Sequence, residues 1–460
     1  ALSTDNIAPG EIFDSHSYEK GALIIHMMRT LANQMPSESS YQDNFTQALE
    51  LYFTKHGLGN VRYQYLQAAL EEVTGTSWQP FFTQWVRSPG HPILGVSHEV
   101  DGDGQLLLTV EQKQATRDDR QWRTFSFPLE VEVIMADGRT STYKIDIYDA
   151  KMTIPLSTGG DVAGVVVNPQ WIIPAQVNVD QGLDGWMAVL THSRYEKARL
   201  FASRQIAKSL QETEAPARYV DQLTRERSLY VVGDAVAALS ANTANRDHVN
   251  RLIGQMSLRL DLDRIALSTI ARAETWLVKT AEDAPTRDDE VRWQAEFEAS
   301  SIQAVRAAIL DRLAHADLER TQSFVLNRFQ ESHWSSRDRR AMIDIMTTTP
   351  TPTSADFVQS ALEGKLSVYW LTRALSNLAS ANFDSPDQVD LMITGAKNHR
   401  YSYGRYSFVR LLAKQVSSKE EVCPVLEELA EADSTPDWST TTYSSIKSTA
   451  KEALNTLDCE

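Results

Sequence analysis

Phe81-Phe82-Thr83-Gln84-Trp85-Val86-Arg87-Ser88-Pro89-Gly90-His91-Pro92-Ile93-Leu94-Gly95-Val96 is the stretch where the hydrophobic period of this chain changes. On its N-terminal side apolar residues recur at three- and four-residue steps, the spacing of an amphipathic helix. On its C-terminal side they alternate, the spacing of a half-buried strand. Pro89, Gly90 and Pro92 punctuate the change, because proline and glycine stop a helix and start a new direction.

Upstream, Ala22, Ile25 and Met28, with Leu23, Ile24, Met27 and Leu31 beside them, predict one helix. Phe45, Leu49, Tyr52 and Phe53 predict a second over 44–55. Asn60 reads as an N-cap for a third helix over 61–73 and Gly75 as its stop. Ser77 reads as the cap of a last short helix carrying Trp78, Phe81, Phe82 and Trp85.

Downstream, Leu106, Leu108 and Val110 alternate, as do Leu129, Val131, Val133 and Met135, and then Tyr143, Ile145 and Ile147. Asp101-Gly102-Asp103-Gly104 and Asp137-Gly138 are hairpin signals between these runs. Residues 152–156 and 165–167 predict further short strands, and the set predicts a small antiparallel β-sandwich. From about Gly182 onward strand patterns vanish. Amphipathic segments follow at 194–211, 234–242, 249–258, 264–280, 289–314, 318–330, 336–347, 355–363, 366–379, 407–415, 423–432 and 444–457. This run predicts an α-solenoid of the HEAT or armadillo kind with a degenerate repeat, and Thr347–Thr353, holding Pro350 and Pro352, predicts a linker inside it. The expected domains are therefore 1–90 (helical), 91–178 (sandwich) and 179–460 (helical superhelix).

The 460 residues exceed one compact core. Sixty-one acidic against 45 basic residues give a net charge of −16, which repels phosphate backbones and anionic lipid, so neither nucleic acid nor membrane is an expected partner. No apolar run reaches the roughly 20 residues that span a bilayer. The start, polar and without Met, reads as a processed terminus or as a boundary within a longer chain. Cys423 and Cys459, the two cysteines, fit either one disulfide across the last helices or two inert buried thiols.

Tyr18-Glu19-Lys20-Gly21-Ala22, followed by Ile25 and Met28, resembles the Tyr-x-Lys-Gly-Ala segment of the zinc aminopeptidases of the aminopeptidase N type, which are gluzincins. Phe81 to Val86, then Gly90, Pro92 and Val96, resembles the junction between catalytic and β domains in that family. The specific motifs sit in the first hundred residues, while the domain order matches throughout. The resemblance implies that residues 1–90 are the C-terminal helical lobe of a thermolysin-like catalytic domain. It implies that Tyr18 is catalytic, donating a hydrogen bond to the oxyanion of the tetrahedral intermediate. Gly21, without a Cβ, would admit substrate or a neighbouring strand to the first helical turn. Tyr195-Glu196-Lys197 repeats the triplet without Gly-Ala, so only the extended match is informative.

The family's zinc is held by a His-Glu-x-x-His helix and a distant Glu, and its amine-binding segment reads Gly-x-Met-x-Asn. No two of the ten histidines stand four apart; His98-Glu99 lies in a predicted strand, and Gly254-Gln255-Met256 continues with Ser257 and Leu258. Helical spacing is what places two imidazoles around one metal. The expectation is zinc in the full-length enzyme and none in this chain, with the missing N-terminal half of the catalytic domain and a peptide substrate as partners. Alone, the chain is expected to be inactive. Tyr401, Tyr403 and Tyr406 with Arg400, Arg405 and Arg410 form an aromatic-basic cluster. Its Tyr401 and Arg405 are the weaker candidates for contacting peptide, an ordinary helix-start surface being the simpler reading. His26 reads as a packed or partly exposed histidine rather than a base. Phosphate loops and the Gly-x-Ser-x-Gly elbow are absent. The competing reading is a non-catalytic interaction scaffold on the same architecture; a sugar-binding sandwich finds no aromatic platform beyond Trp122 and Trp171. Cytoplasm and bacterial periplasm both suit such a chain.

Overall fold

A computed structural model describes residues 16–37, 41–102, 105–114, 124–210, 215–329, 331, 333–349, 351, 353, 357, 373, 374, 377, 386–398, 402–415, 418–432 and 446–459. These fold as two compact units, one reaching Ala238 and the other starting at Leu239.

In the first unit a π-helical turn, His16–Lys20, leads into α1 (Gly21–Asn33), which buries Ile24, Met27, Met28 and Ala32 along one face. Asp43 caps α2 (Asn44–His56), accepting from the Thr46 N–H at 2.8 Å. The buried Asn44 amide donates to the Ala32 carbonyl at 2.9 Å, closing the end of α1. Helix α3 (Tyr63–Thr74) stops at Gly75, whose φ of 65° is the left-handed conformation that glycine adopts without strain. Two cap assignments need correction. The cap of α3 is Arg62, without a side-chain bond, rather than Asn60. At the short helix α4 (Gln79–Phe81), continued by a π-helical stretch Phe82–Arg87, the N-cap is Trp78. There Glu71 accepts from the Trp78 N–H at 2.8 Å, so a carboxylate seven residues upstream does the work assigned to Ser77.

The strands are β1 (Ile93–Val100), β2 (Leu106–Gln112), β3 (Phe127–Met135), β4 (Thr140–Ile147), β5 (Lys151–Leu156), β6 (Val162–Val167) and β7 (Gln176–Val179). They form two sheets, ordered β5-β2-β1-β7 and β4-β3-β6. Leu94 and Val96 face Leu106, Leu108 and Val110 on one, and Leu129, Val131, Val133, Val165 and Val167 face inward from the other, in a core shared with the α1–α4 helices. The expectation of an all-antiparallel arrangement is corrected at one edge. Strand β7 runs parallel to β1, pairing Ile93 with Gln176 and Val96 with Val179. It enters from the other sheet by a crossover, which a parallel pair requires.

Helices α5 (Leu183–His192), α6 (Glu196–Ser209), α7 (Ala217–Arg225) and α8 (Leu229–Leu239) follow. Helix α5 packs on β6 closely enough that a methyl group at Gly164 would stand 2.7 Å from the Gly185 carbonyl oxygen. Helices α5 and α7 escaped the sequence reading, and α8 begins five residues before the expected 234.

The second unit has no strand among its described residues. It contains α9 (Arg246–Ser257), α10 (Arg264–Lys279), α11 (Arg287–Ala299), α12 (Gln303–Ala316), α13 (Leu318–Phe329) and α14 (Ser336–Thr347). Further helices span Pro386–Asn398, Ser402–Leu412, Lys419–Ala432 and Ile446–Leu457. Helices α11, α12, α13 and α14 each pack on the next, and α12 also packs on α10 and α14. Phe297, Leu310, Leu313, Val325 and Met342 fill the core between them, and Val409, Leu412, Leu426 and Ala450 a second one near the C-terminus. Cys423 and Cys459 are bonded, with Cα atoms 5.8 Å apart, which decides between the two readings of that pair. Most of the predicted helices 355–363 and 366–379 lie outside the described residues.

Candidate active-site segment

The π-helical turn ahead of α1 presents Tyr18 at 62% exposure, on the same end of the helix as the exposed Leu23 and Ile25. Gly21 is the first residue of α1, and a Cβ there would meet nothing within 4 Å. No packing within the described chain therefore demands a glycine at that position.

The next residue back ties the segment down. Lys20 donates from Nζ to the Gly90 carbonyl at 3.0 Å, and its partial burial pulls the ammonium below its ordinary pKa. The two stretches that carried the family resemblance are thus in contact. Trp85, 3% exposed, lies near the same junction, its ring 5.1 Å from that of Phe125 on the sheet-bearing segment.

Beside α1, His26 and Thr30 line a cleft of about 270 Å³ with Gln170, Tyr195, Glu196 and Lys197. The repeated Tyr-Glu-Lys triplet therefore lies next to the first helix, which no sequence signal indicated. Burial, then the Lys197 and Arg29 charges, lower the His26 pKa, so the imidazole stays neutral around neutrality. Tyr195 accepts from the Arg194 guanidinium at 2.8 Å, and burial pushes its phenol up.

The remaining candidates fall in the second unit. Arg405 lies in the helix Ser402–Leu412 and is partly buried, while Tyr401 lies outside the described residues. From that cluster, the Arg410 guanidinium stands 5.9 Å from the Tyr406 ring centre.

No group of three or more His, Cys, Asp or Glu side chains converges on a metal-sized site among the described residues. His26 stands on α1, His98 on β1 and His248 on α9, and the donor set that would fit zinc is not assembled from them. Likewise, among the described residues no helix is long and apolar enough to cross a membrane.

Comparison with known proteins bears on this same segment. Residues 3–85 match the peptidase family M1 domain. Aminopeptidase M1-D of Oryza sativa subsp. japonica is 34% identical over 100 residues, which is 21% of this chain and 10% of that protein. The tricorn protease-interacting factor F2 of Thermoplasma acidophilum is 28% identical over 131 residues, 28% of this chain and 15% of that protein. A crystal structure of Legionella pneumophila aminopeptidase A in complex with aspartic acid superposes with a TM-score of 0.63 at 11% identity, covering 97% of this chain and 57% of that one. The matched regions are thus a minor share of the curated relatives' lengths, and the likeness to the solved structure is one of fold. Residues 3–85 are thus similar to the peptidase family M1 domain, and the chain shares its fold with a solved aminopeptidase.

Proposed function

We propose that this chain is the C-terminal portion of a zinc-dependent aminopeptidase that removes N-terminal residues from peptides, with Tyr18 stabilising the tetrahedral intermediate. The single observation that carries this is Tyr18 itself: an exposed phenol at the head of α1, inside the region matching the M1 domain, on a turn anchored by Lys20. The described residues do not supply the zinc ligands, and in this reading they come from the missing N-terminal half of the catalytic domain.

A phenol hydroxyl can donate a hydrogen bond where an oxyanion develops. Gly21 leaves the first turn of α1 without a side chain that would crowd an approaching peptide. The exposed Leu23 and Ile25 are read as the contact for the missing half. In this reading residues 1–90 complete the catalytic domain, 91–178 form a spacer sandwich and 179–460 an α-solenoid that encloses peptide, Tyr401 and Arg405 being the weaker candidates for touching it.

The test is Tyr18→Phe in the full-length enzyme. Loss of one oxyanion donor lowers kcat by about two to three powers of ten with KM nearly constant; unchanged turnover sinks the assignment. The isolated 460-residue chain is expected to hydrolyse no aminoacyl substrate with or without added zinc. If the sequence encoded upstream holds no zinc-binding helix, the scaffold reading replaces the enzyme.

A further inference from the structure

The second unit carries a cleft of about 640 Å³ lined by residues of α10, α12 and α14. Arg264 and Arg272 line it from α10, and Arg337 and Arg340 from α14, with α12 packed between these two helices. From α12 the small residues Ala304 and Ala307 line it. All four arginines are exposed and have no carboxylate partner among the described residues.

That is unusual in this unit. Arg292, Arg306, Arg312, Arg320 and Arg328, on the same group of helices, each pair with a carboxylate. Asp344 is the one acid in the cleft lining, and Arg373 already engages it through two 2.7 Å hydrogen bonds. Among the described residues, then, four guanidinium groups in one concave site have no carboxylate partner, in a chain whose net charge is −16. The N-terminus of α12 opens into the same place, since its cap residue Ile302 offers no side-chain hydrogen bond, and helix amides there add positive potential.

We propose that this cleft binds a carboxylate-rich peptide segment, its acidic groups held by the two pairs of arginines. Guanidinium forks match carboxylates in pairs. The lining also has an apolar share in Ile265, Ile302 and the alanines, which suits the aliphatic stems of glutamates and has no aromatic ring to stack a base. The overall negative charge opposes a long polyanion such as nucleic acid. The proposal does not depend on Tyr18 or on peptidase activity.

The test is fluorescence anisotropy of the 460-residue chain with N-acetylated labelled peptides, whose blocked amine keeps them from acting as aminopeptidase substrates. One peptide has several glutamates and an amidated C-terminus, a second has glutamines in their place and a free C-terminal carboxylate, and a third has glutamines and an amide. Affinity for the first peptide, absent for the second and third, is the expected result; affinity for the second without the first would point to a lone terminal carboxylate and overturn the proposal. R264E/R272E and R337E/R340E each weaken binding of the first peptide at least tenfold, and added salt weakens it in the parent chain. Equal binding of all three peptides, unchanged affinity in both double variants, or binding of single-stranded oligonucleotide but of no peptide overturns the proposal. Circular dichroism checks the fold of each variant; should a reversal fail to fold, R264Q/R272Q and R337Q/R340Q carry the same expectation.

Discussion

The Lys20 ammonium donates a 3.0 Å hydrogen bond to the carbonyl oxygen of Gly90, seventy residues away in sequence. It joins the turn that bears Tyr18 to the backbone segment that leads into β1. A charged donor on a carbonyl is worth about 1.5–3 kcal/mol, and partial exposure places this one toward the low end. Lys20→Met keeps most of the aliphatic stem and removes the donor. We expect the first unit to lose about 1–2 kcal/mol, read as a lower urea midpoint in its transition. A midpoint within error of the parent would mean that the bond contributes nothing net.

Glu132 supplies a pH signature. Its side chain, on β3, is fully buried and accepts from the Ser193 hydroxyl and, at 3.4 Å, from the Arg194 N–H. Burial raises its pKa, and the bonds to Ser193 and Arg194 only partly offset that. The folded state therefore holds the proton more tightly than the unfolded state. Its contribution is fully present below the unfolded value near 4.5 and is lost as pH rises through the folded value. Glu132→Gln removes this dependence, so the variant should gain on the parent as pH climbs from about 4.5 toward neutrality. Parallel urea titrations at several pH values would reveal it; a constant offset between the two proteins would contradict the raised pKa.

What was legible in the sequence was what local rules govern. The change of period around Gly90, the stop at Gly75 and the existence of strands β2, β3 and β4 depend on neighbours within a few residues, and the structure has them. The parallel pairing of β7 was hidden because four residues carry too little pattern to choose a partner. Helix α7 was hidden because charged Arg218, Asp221 and Arg225 dilute an apolar face of only Tyr219, Val220 and Leu223. Tyr18 was readable as a candidate from its flanking residues, but its anchor on Gly90 was not, since a side chain to backbone bond leaves no sequence pattern. The ion pairs Lys279–Asp311, Arg328–Glu298, Arg306–Asp338, Arg373–Asp344 and Lys397–Glu428, whose partners stand 29 to 32 residues apart, tie helices together in a way that the pattern of apolar residues does not disclose.

One of these pairs should be costly to break. Arg306 on α12 makes bonds of 2.8 and 2.7 Å to both carboxylate oxygens of Asp338, which is nearly fully buried and also forms the capping box of α14 with Ser335. Burial alone would raise the Asp338 pKa, but the Arg306 guanidinium and the Ser335 hydroxyl outweigh it and hold the carboxyl below its ordinary value. Stability from this group is therefore present above about 3.8 and lost as pH falls through the folded value. Asp338→Ala leaves the guanidinium buried and the helix uncapped, with an expected loss of about 3–5 kcal/mol. Replacing both partners with apolar residues, as in R306M/D338L, should recover a large part of that loss. Denaturation of the second unit measures both; equal losses in the single and double variants would refute the stranded-charge explanation.

The Cys423–Cys459 disulfide closes a loop of 36 residues in sequence separation and joins the helix Lys419–Ala432 to the residues that follow Ile446–Leu457. Buried Val422, Leu426, Ala450 and Leu457 pack these two helices together, so the bond and the core act on the same contact. A cross-link over a loop of this length removes entropy chiefly from the unfolded chain, an effect of about 2–4 kcal/mol. C423S/C459S should therefore leave the helices folded but easier to open. Amide hydrogen exchange in the last two helices should quicken by one to two powers of ten or more in the variant, while α10 to α14 exchange as before. Reduction of the parent protein with dithiothreitol should reproduce the change. Protection that is identical with and without the bond would assign the stability of this end to packing alone.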